Sequence, residues 1–189
     1  MLSEKKSPLS EGILHVDDVP VAHTPTGGYG KTFPKPILHG CTDPLVAGAP
    51  DLRGLWQVTE AEAKGKPLPK THKLYRHYQR IEQCADRLIV TGGGVIHDMR
   101  CDGTVEHGVH DVAEMDFKTK LTVVATYENG VHVLRPQGFL IRMMSLVLRF
   151  NPIVTRRRDG DDMIWEYTTF TARLRKIGGP EDPPYSNPN

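Results

Sequence analysis

The chain has 189 residues, 38% of them hydrophobic, with 24 Lys and Arg against 23 Asp and Glu and a formal charge of +1. That length predicts one domain with tails and enough apolar residues to bury a core. The even charge excludes a global electrostatic bias toward nucleic acid or an anionic membrane surface, and no apolar run approaches the roughly 18 residues of a membrane span.

Residues 1–15 lack the apolar core of a secretory leader, so a cytoplasmic location is the default expectation. Seven of the 15 prolines fall in residues 1–50, a stretch with no sustained period. Such a stretch cannot build its own core. Its scattered apolar residues, from Ile13, Leu14, Val16, Val19 and Val21 through Phe33, Ile37 and Leu38 to Leu45 and Val46, read as an extended arm packing on the domain or on a neighbour. The motif Pro25–Thr32 echoes a phosphate-binding loop, but no strand precedes it and FPKP follows where a helix should start.

Residues 51–178 change character. Short alternating runs recur every 8–14 residues, from LRGLWQVTE through RLIVTGG, GVIHDMR and KLTVVATY to DMIWEYTTFTARLRKI. Asp86, Asp102-Gly103, Asn129-Gly130 and Asp159-Gly160 mark the turns, since Asx-Gly pairs supply the positive φ of tight hairpins. The expected fold is all-β: an up-and-down antiparallel barrel of about 8–10 strands, closed so that no edge is exposed. TEAEAKGK is the one helix candidate in the domain proper, and Phe139–Phe150 reads as a strand bounded by Pro152. Gly92-Gly93-Gly94 reads as a strand corner or bulge, and Arg156-Arg157-Arg158, balanced by Asp159, Asp161 and Asp162, as a solvated hairpin. The last stretch, 179–189, carries four prolines and is expected to be a flexible tail. Cys41, Cys84 and Cys101 are odd in number with no C-x-x-C spacing, and read as reduced thiols.

Gly54-Leu55-Trp56 at the start of the first strand and Thr171-Ala172-Arg173-Leu174-Arg175 at the end of the last resemble the calycin superfamily of lipocalins and fatty-acid-binding proteins. The resemblance covers about residues 52–177. It implies that Trp56 packs under an arginine of the last strand, Arg173, as a cation–π lid on the closed end. It also implies that the Arg173 face of that strand points inward. With a period of two, that face is Trp165, Tyr167, Thr169, Thr171, Arg173 and Arg175. Arg175 stands where the family's final strand has Tyr, and GLWQVTE stands where nitrobindin-like haem proteins have a longer G-x-W-x-G-x-G.

Nine histidines are present, and His77, His97, His110 and His132 fall in strand runs. A histidine among apolar neighbours suits acid–base chemistry, so His97 and His132 are the candidate catalytic bases. The candidate ligand-binding residues are His77, Arg142, Trp165, Tyr167, Thr169, Thr171, Arg173 and Arg175, with Arg142, Arg173 or Arg175 as counter-charge to an anionic ligand. His107 and His110 lack any supporting Cys/His cluster, so no metal and no cofactor is expected. The expected function is a lipocalin-like barrel holding a small, mostly apolar ligand. The alternatives are a cofactor-independent isomerase, cyclase or lyase in the same lumen, and an interaction module that dimerises through the arm. Neither nucleic acid nor membrane is an expected partner.

Overall fold

The turns set the architecture. Asn129 and Gly130, with φ of 50° and 78°, close a two-residue hairpin between β7 (Lys120–Glu128) and β8 (Val131–Pro136). Gly93 and Gly94, at 56° and 92°, do the same between β4 (Arg87–Gly92) and β5 (Val95–Arg100), so the triple glycine is a hairpin turn and not a corner. The computed structural model describes residues 14–114, 117–137 and 152–182. The other strands are β1 (Gly54–Ala63), β2 (Lys66–Pro67), β3 (Tyr78–Cys84), β6 (Val109–Val112), β9 (Val154–Asp159), β10 (Asp162–Tyr167) and β11 (Phe170–Gly178). All eleven pair antiparallel in one sheet, in the order β5-β4-β3-β1-β11-β10-β9-β8-β7-β6, with β2 attached to β1. First and last strands are neighbours, and the sheet curls into an all-β, nearly closed barrel. Among the described residues no helix is long and apolar enough to cross a membrane.

Two expectations change within the barrel. TEAEAKGK is not helical: Glu60–Ala63 continue β1, and Lys64 and Gly65, both at positive φ, turn the chain into β2. Cross-strand partners on β11 hold that segment extended, which overrides its helix propensity. The run from Asp162 to Ile177 is two strands, folded back at Thr168-Thr169, so Tyr167 lies opposite Phe170 and Trp165 opposite Ala172. Paired residues share a face. Met163, Trp165, Ala172 and Leu174 therefore point into the core, and Arg173 and Arg175 point out. Phe139–Phe150 lies outside the described residues.

The barrel's inner face carries the core, with Trp56, Val58, Ile81, Leu88, Val90, Met99, Val109, Val123, Ala125, Leu134, Met163 and Leu174 among its members. Trp56 donates from Nε1 to the Leu52 carbonyl at 2.8 Å and lies under the guanidinium of Arg158, 5.1 Å from the ring centroid. The arginine lid over Trp56 thus comes from β9, not from Arg173, which is ion-paired outside to Asp159 and to Asp162, the latter at 3.2 Å.

Strands β3–β5 are buried on both faces. Their outer face is covered by residues 14–50, which carry one 3-10 turn, Val16–Asp18, and hydrogen-bonded turns closed by Pro25 with Gly28, Leu38 with Cys41 and Val46 with Ala49. Val16, Leu38, Cys84, Ile89 and Ile96 form a second apolar cluster there. Polar residues of the outer face bond the arm's backbone. Arg80 donates to the Pro34 carbonyl at 2.5 Å, and Glu82 accepts from Leu38 N–H at 2.7 Å. Arg87, paired with Asp98 at 2.6 Å, donates to the carbonyls of Val16, Val19 and Pro20. Cys41 of the arm and Cys84 of β3 form a disulfide, which corrects the reading of all three cysteines as thiols. Spacing along the chain could not show it, because β3 and the arm bring the two Cα atoms to 6.2 Å across 43 residues. Cys101 is a free, buried thiol. Of the terminal stretch, residues 179–182 are described: Glu181 pairs with His39 at 2.6 Å, and the Asp182 carbonyl accepts from Arg80 at 3.4 Å.

Candidate functional site

Register places one row of side chains across the inner wall. Tyr127 on β7 is opposite His132 on β8, His132 opposite Arg156 on β9, and Arg156 opposite Trp165 on β10. His132, Arg156 and Trp165 are buried. Trp165 is the aromatic centre of the row. The His77 ring stacks on it at 5.2 Å and 26°, Phe170 meets it edge-on at 4.8 Å, and the Arg156 guanidinium lies 5.7 Å from its centroid.

A hydrogen-bond chain runs from this row toward Glu114. Arg156 Nε donates to Gln79 Oε1 at 3.2 Å, and Gln79 Nε2 lies 3.3 Å from His77 Nε2. His77 Nδ1 lies 3.3 Å from a Glu114 carboxylate oxygen. One assignment satisfies every link. With Gln79 Oε1 accepting from arginine, its Nε2 donates to His77 Nε2, which leaves the imidazole proton on Nδ1 facing Glu114. Glu114 is more exposed than the rest and needs Gly93 beside it: a Cβ at Gly93 would fall 1.8 Å from the Glu114 oxygen.

The row is not satisfied. Arg156 Nη1, Trp165 Nε1 and both ring nitrogens of His132 have no hydrogen-bond partner among the described residues. Among the described residues no carboxylate lies within ion-pair distance of Arg156. Burial lowers Arg156 to about 10, with Glu114 opposing. Burial, followed by the Arg156 charge, holds His132 well below the ordinary histidine range. His77 is lowered by burial, against the pull of Glu114. Both rings are therefore neutral at neutral pH.

Of the residues singled out by sequence, His77, His132 and Trp165 meet in this row. His97 faces inward from β5, but its Nε2 donates to the Val112 carbonyl of β6 at 3.1 Å, a structural bridge between the two strands. Tyr167 stacks on Phe170 at the end of the β10–β11 hairpin, and Thr169 sits exposed in its turn. Thr171, Arg173 and Arg175 are on the outer face, removed from the lumen by the unforeseen turn at Thr168-Thr169. Arg142 lies outside the described residues. Sequence reading missed Arg156, Gln79, Tyr127 and Glu114. Arg156 had a readable signal: folding the chain about Gly160-Asp161 pairs Asp159 with Asp162, and hence Arg156 with Trp165.

A second feature lies outside the barrel, where the arm passes β5 and β6. A groove of about 420 Å³ is lined there by Val16, Val19, Ala22, Met99 and Val109, with Arg87, Asp98 and Asp111 among its polar residues. Among the described residues one group has metal-ligand proximity, Cys41, Asp43 and Cys84, but its two sulfurs are bonded to each other. No family model matches this chain, and no curated protein matches its sequence.

Proposed function

We propose that the barrel binds a small organic anion with an apolar body, its carboxylate or similar oxyanion seated on Arg156. The unpaired Arg156 Nη1 carries this reading. A buried guanidinium without a counter-charge loses several kcal/mol of hydration, and an oxyanion would restore that loss. Trp165 Nε1 and one nitrogen of neutral His132 are further donors in the same row. Ala125, Leu134 and Val154 supply apolar surface on the neighbouring inner positions. The counter-charge expected from Arg173 or Arg175 passes to Arg156.

A calycin-like identity accords with this reading. It is supported by Trp56 on the inner face of β1 beneath an arginine, here Arg158. The arm bonds its own barrel extensively, which favours a small ligand over a second copy as partner. The Cys41–Cys84 disulfide favours an oxidising compartment over the cytoplasm.

The test is native mass spectrometry beside titration of tryptophan emission with oleate and with oleyl alcohol. Wild type is expected to bind oleate at least tenfold tighter than Arg156→Gln, the loss of about 1.5–3 kcal/mol typical of a charged hydrogen bond. Oleyl alcohol should not distinguish the two proteins. Equal oleate affinity in both would overturn the reading.

A second reading rests on His132 and on the Glu114–His77 pair. A neutral base beside a fixed anion site suits proton transfer at the carbon next to a carboxylate, with no cofactor needed. Solvent-deuterium incorporation into a bound enolisable acid, lost in His132→Leu, would support it over simple carriage.

A further inference from the structure

We propose that the seam between β5 and β6 is a side portal into the barrel, bolted by arm residues 16–24 and released when the Cys41–Cys84 disulfide is reduced. The portal's traffic is the organic anion of the preceding reading, on which that part rests; the bolt itself does not depend on it.

β5 and β6 are the two ends of the strand order, and no ladder joins them. Bonds at its two ends hold this side. At one end, Arg100 N–H donates to the His107 carbonyl at 2.8 Å and Gly103 N–H to Ala125 at 3.0 Å. At the other, His97 reaches Val112. Between these ends lies the 420 Å³ groove, and Met99 and Val109 line it. Both are members of the barrel's inner core. The groove therefore abuts the seam, with inner-core side chains as its floor, and the unpaired donors inside need a path by which an anion can reach them.

The arm crosses this seam and bonds each edge. Ala22 N–H donates to Asp98 Oδ2 on β5 at 2.8 Å, and Thr24 N–H to Asp111 Oδ2 on β6 at 2.9 Å. The Thr24 hydroxyl accepts from Ile96 N–H at 2.9 Å. These bonds stand in for the missing strand ladder. Behind them, Arg87 grips three arm carbonyls and Asp98 together. The covalent tether is Cys41 to Cys84, the second of which sits on the outer face of β3. Reduction by a dithiol transfers two electrons and two protons: the S–S bond breaks, Cys41 and Cys84 become thiols, and the dithiol closes to its own disulfide. The arm then keeps only non-covalent bonds to the barrel.

The experiment uses the full chain with and without dithiothreitol, read by amide hydrogen exchange and by stopped-flow binding of 1-anilinonaphthalene-8-sulfonate, an aromatic anion. On reduction, exchange in residues 95–100 and 109–112 is expected to accelerate at least tenfold more than in 154–167. Association and dissociation rates of the probe should rise together by at least threefold, with Kd unchanged within twofold. Thr24→Val in the oxidised protein, which loses only the two hydroxyl bonds to the Ile96 backbone, accepted from its N–H and donated to its carbonyl, should reproduce a smaller part of both effects. Unchanged exchange in β5 and β6 on reduction would overturn the bolt. Accelerated exchange with unchanged probe rates would overturn the portal. Probe binding unaffected by Arg156→Gln would count against the anion site alone, and exchange would still decide the bolt.

Discussion

Replacing Arg156 by Met removes a buried charge whose Nη1 has no partner among the described residues, and leaves Gln79 Oε1 without its donor. Exchanging a buried, poorly compensated ion for an apolar side chain of similar volume is commonly neutral or stabilising. Arg156→Met is therefore expected to raise stability by about 1 kcal/mol or more in urea denaturation while abolishing oleate binding. A loss of stability would mean that the guanidinium is better satisfied than its unpaired nitrogen indicates. Glu82 gives a pH prediction of one sign. Burial pushes its carboxyl from 4.5 up to about 7, with the Leu38 amide as the main opposing influence. A group that holds its proton more tightly folded than unfolded favours the fold fully below its unfolded value and loses that advantage as pH rises through about 7. Glu82→Gln should thus raise the melting temperature at pH 8, where the ionised carboxylate costs up to about 3 kcal/mol, and leave it nearly unchanged at pH 4. His77, His97 and His132 act with the opposite sign: all are lowered, chiefly by burial. The unfolded chain takes up their protons below about 6.5 while the native chain does not, so their contribution is full above that pH and falls below it. His132→Leu should flatten part of the acid-side fall in urea midpoint between pH 7 and pH 5. At this scale the histidines were legible because an apolar, alternating context marks an inward position. Arg156 was not, because a triple arginine among aspartates reads as solvated until hairpin pairing sorts its members by face.

Element boundaries were legible wherever a turn carried Asx-Gly chemistry. Asn129-Gly130 and, after Asp159, Gly160 fix their hairpins at positive φ. Thr168-Thr169 carries no such signal, and one missed turn moved Thr171, Arg173 and Arg175 to the wrong side of the wall. The arm shows a different obstacle. Arg80, Glu82, Arg87 and Asp98 alternate with apolar residues as if they faced water, yet they face the arm's backbone. A period of two marks the two faces of a strand but does not say what covers the polar one. The arm's tether is open to test. Cys84→Ser opens a loop of 43 residues, and chain entropy assigns such a closure about 4 kcal/mol at most. The variant is expected to unfold at clearly lower urea than wild type under non-reducing conditions and to match it under strong reductant.

Across the whole molecule, barrel and arm divide one covering task. The barrel encloses the inner core, and the arm encloses the outer cluster of Val16, Leu38, Cys84, Ile89 and Ile96. A chain starting at Asp51 would present that outer face to water with Arg80, Glu82, Arg87 and Asp98 stripped of their arm partners. It is expected to bind hydrophobic dye and associate in size-exclusion chromatography rather than run as a stable monomeric barrel. The barrel itself was legible from strand number and spacing, but its side seam was not, since a seam is an absence of pairing between strands that each look complete. The order of the parts along the chain has a consequence for synthesis. The arm leaves the ribosome first, but its docking surface is written in residues 80–111, and β1 waits for β11, the last strand to emerge. Cys41 likewise waits 43 residues for Cys84. A nascent chain therefore carries the Cys41 thiol unclaimed for at least 43 residues of synthesis, and its first strand, once paired with β3, keeps an open edge until β11 emerges.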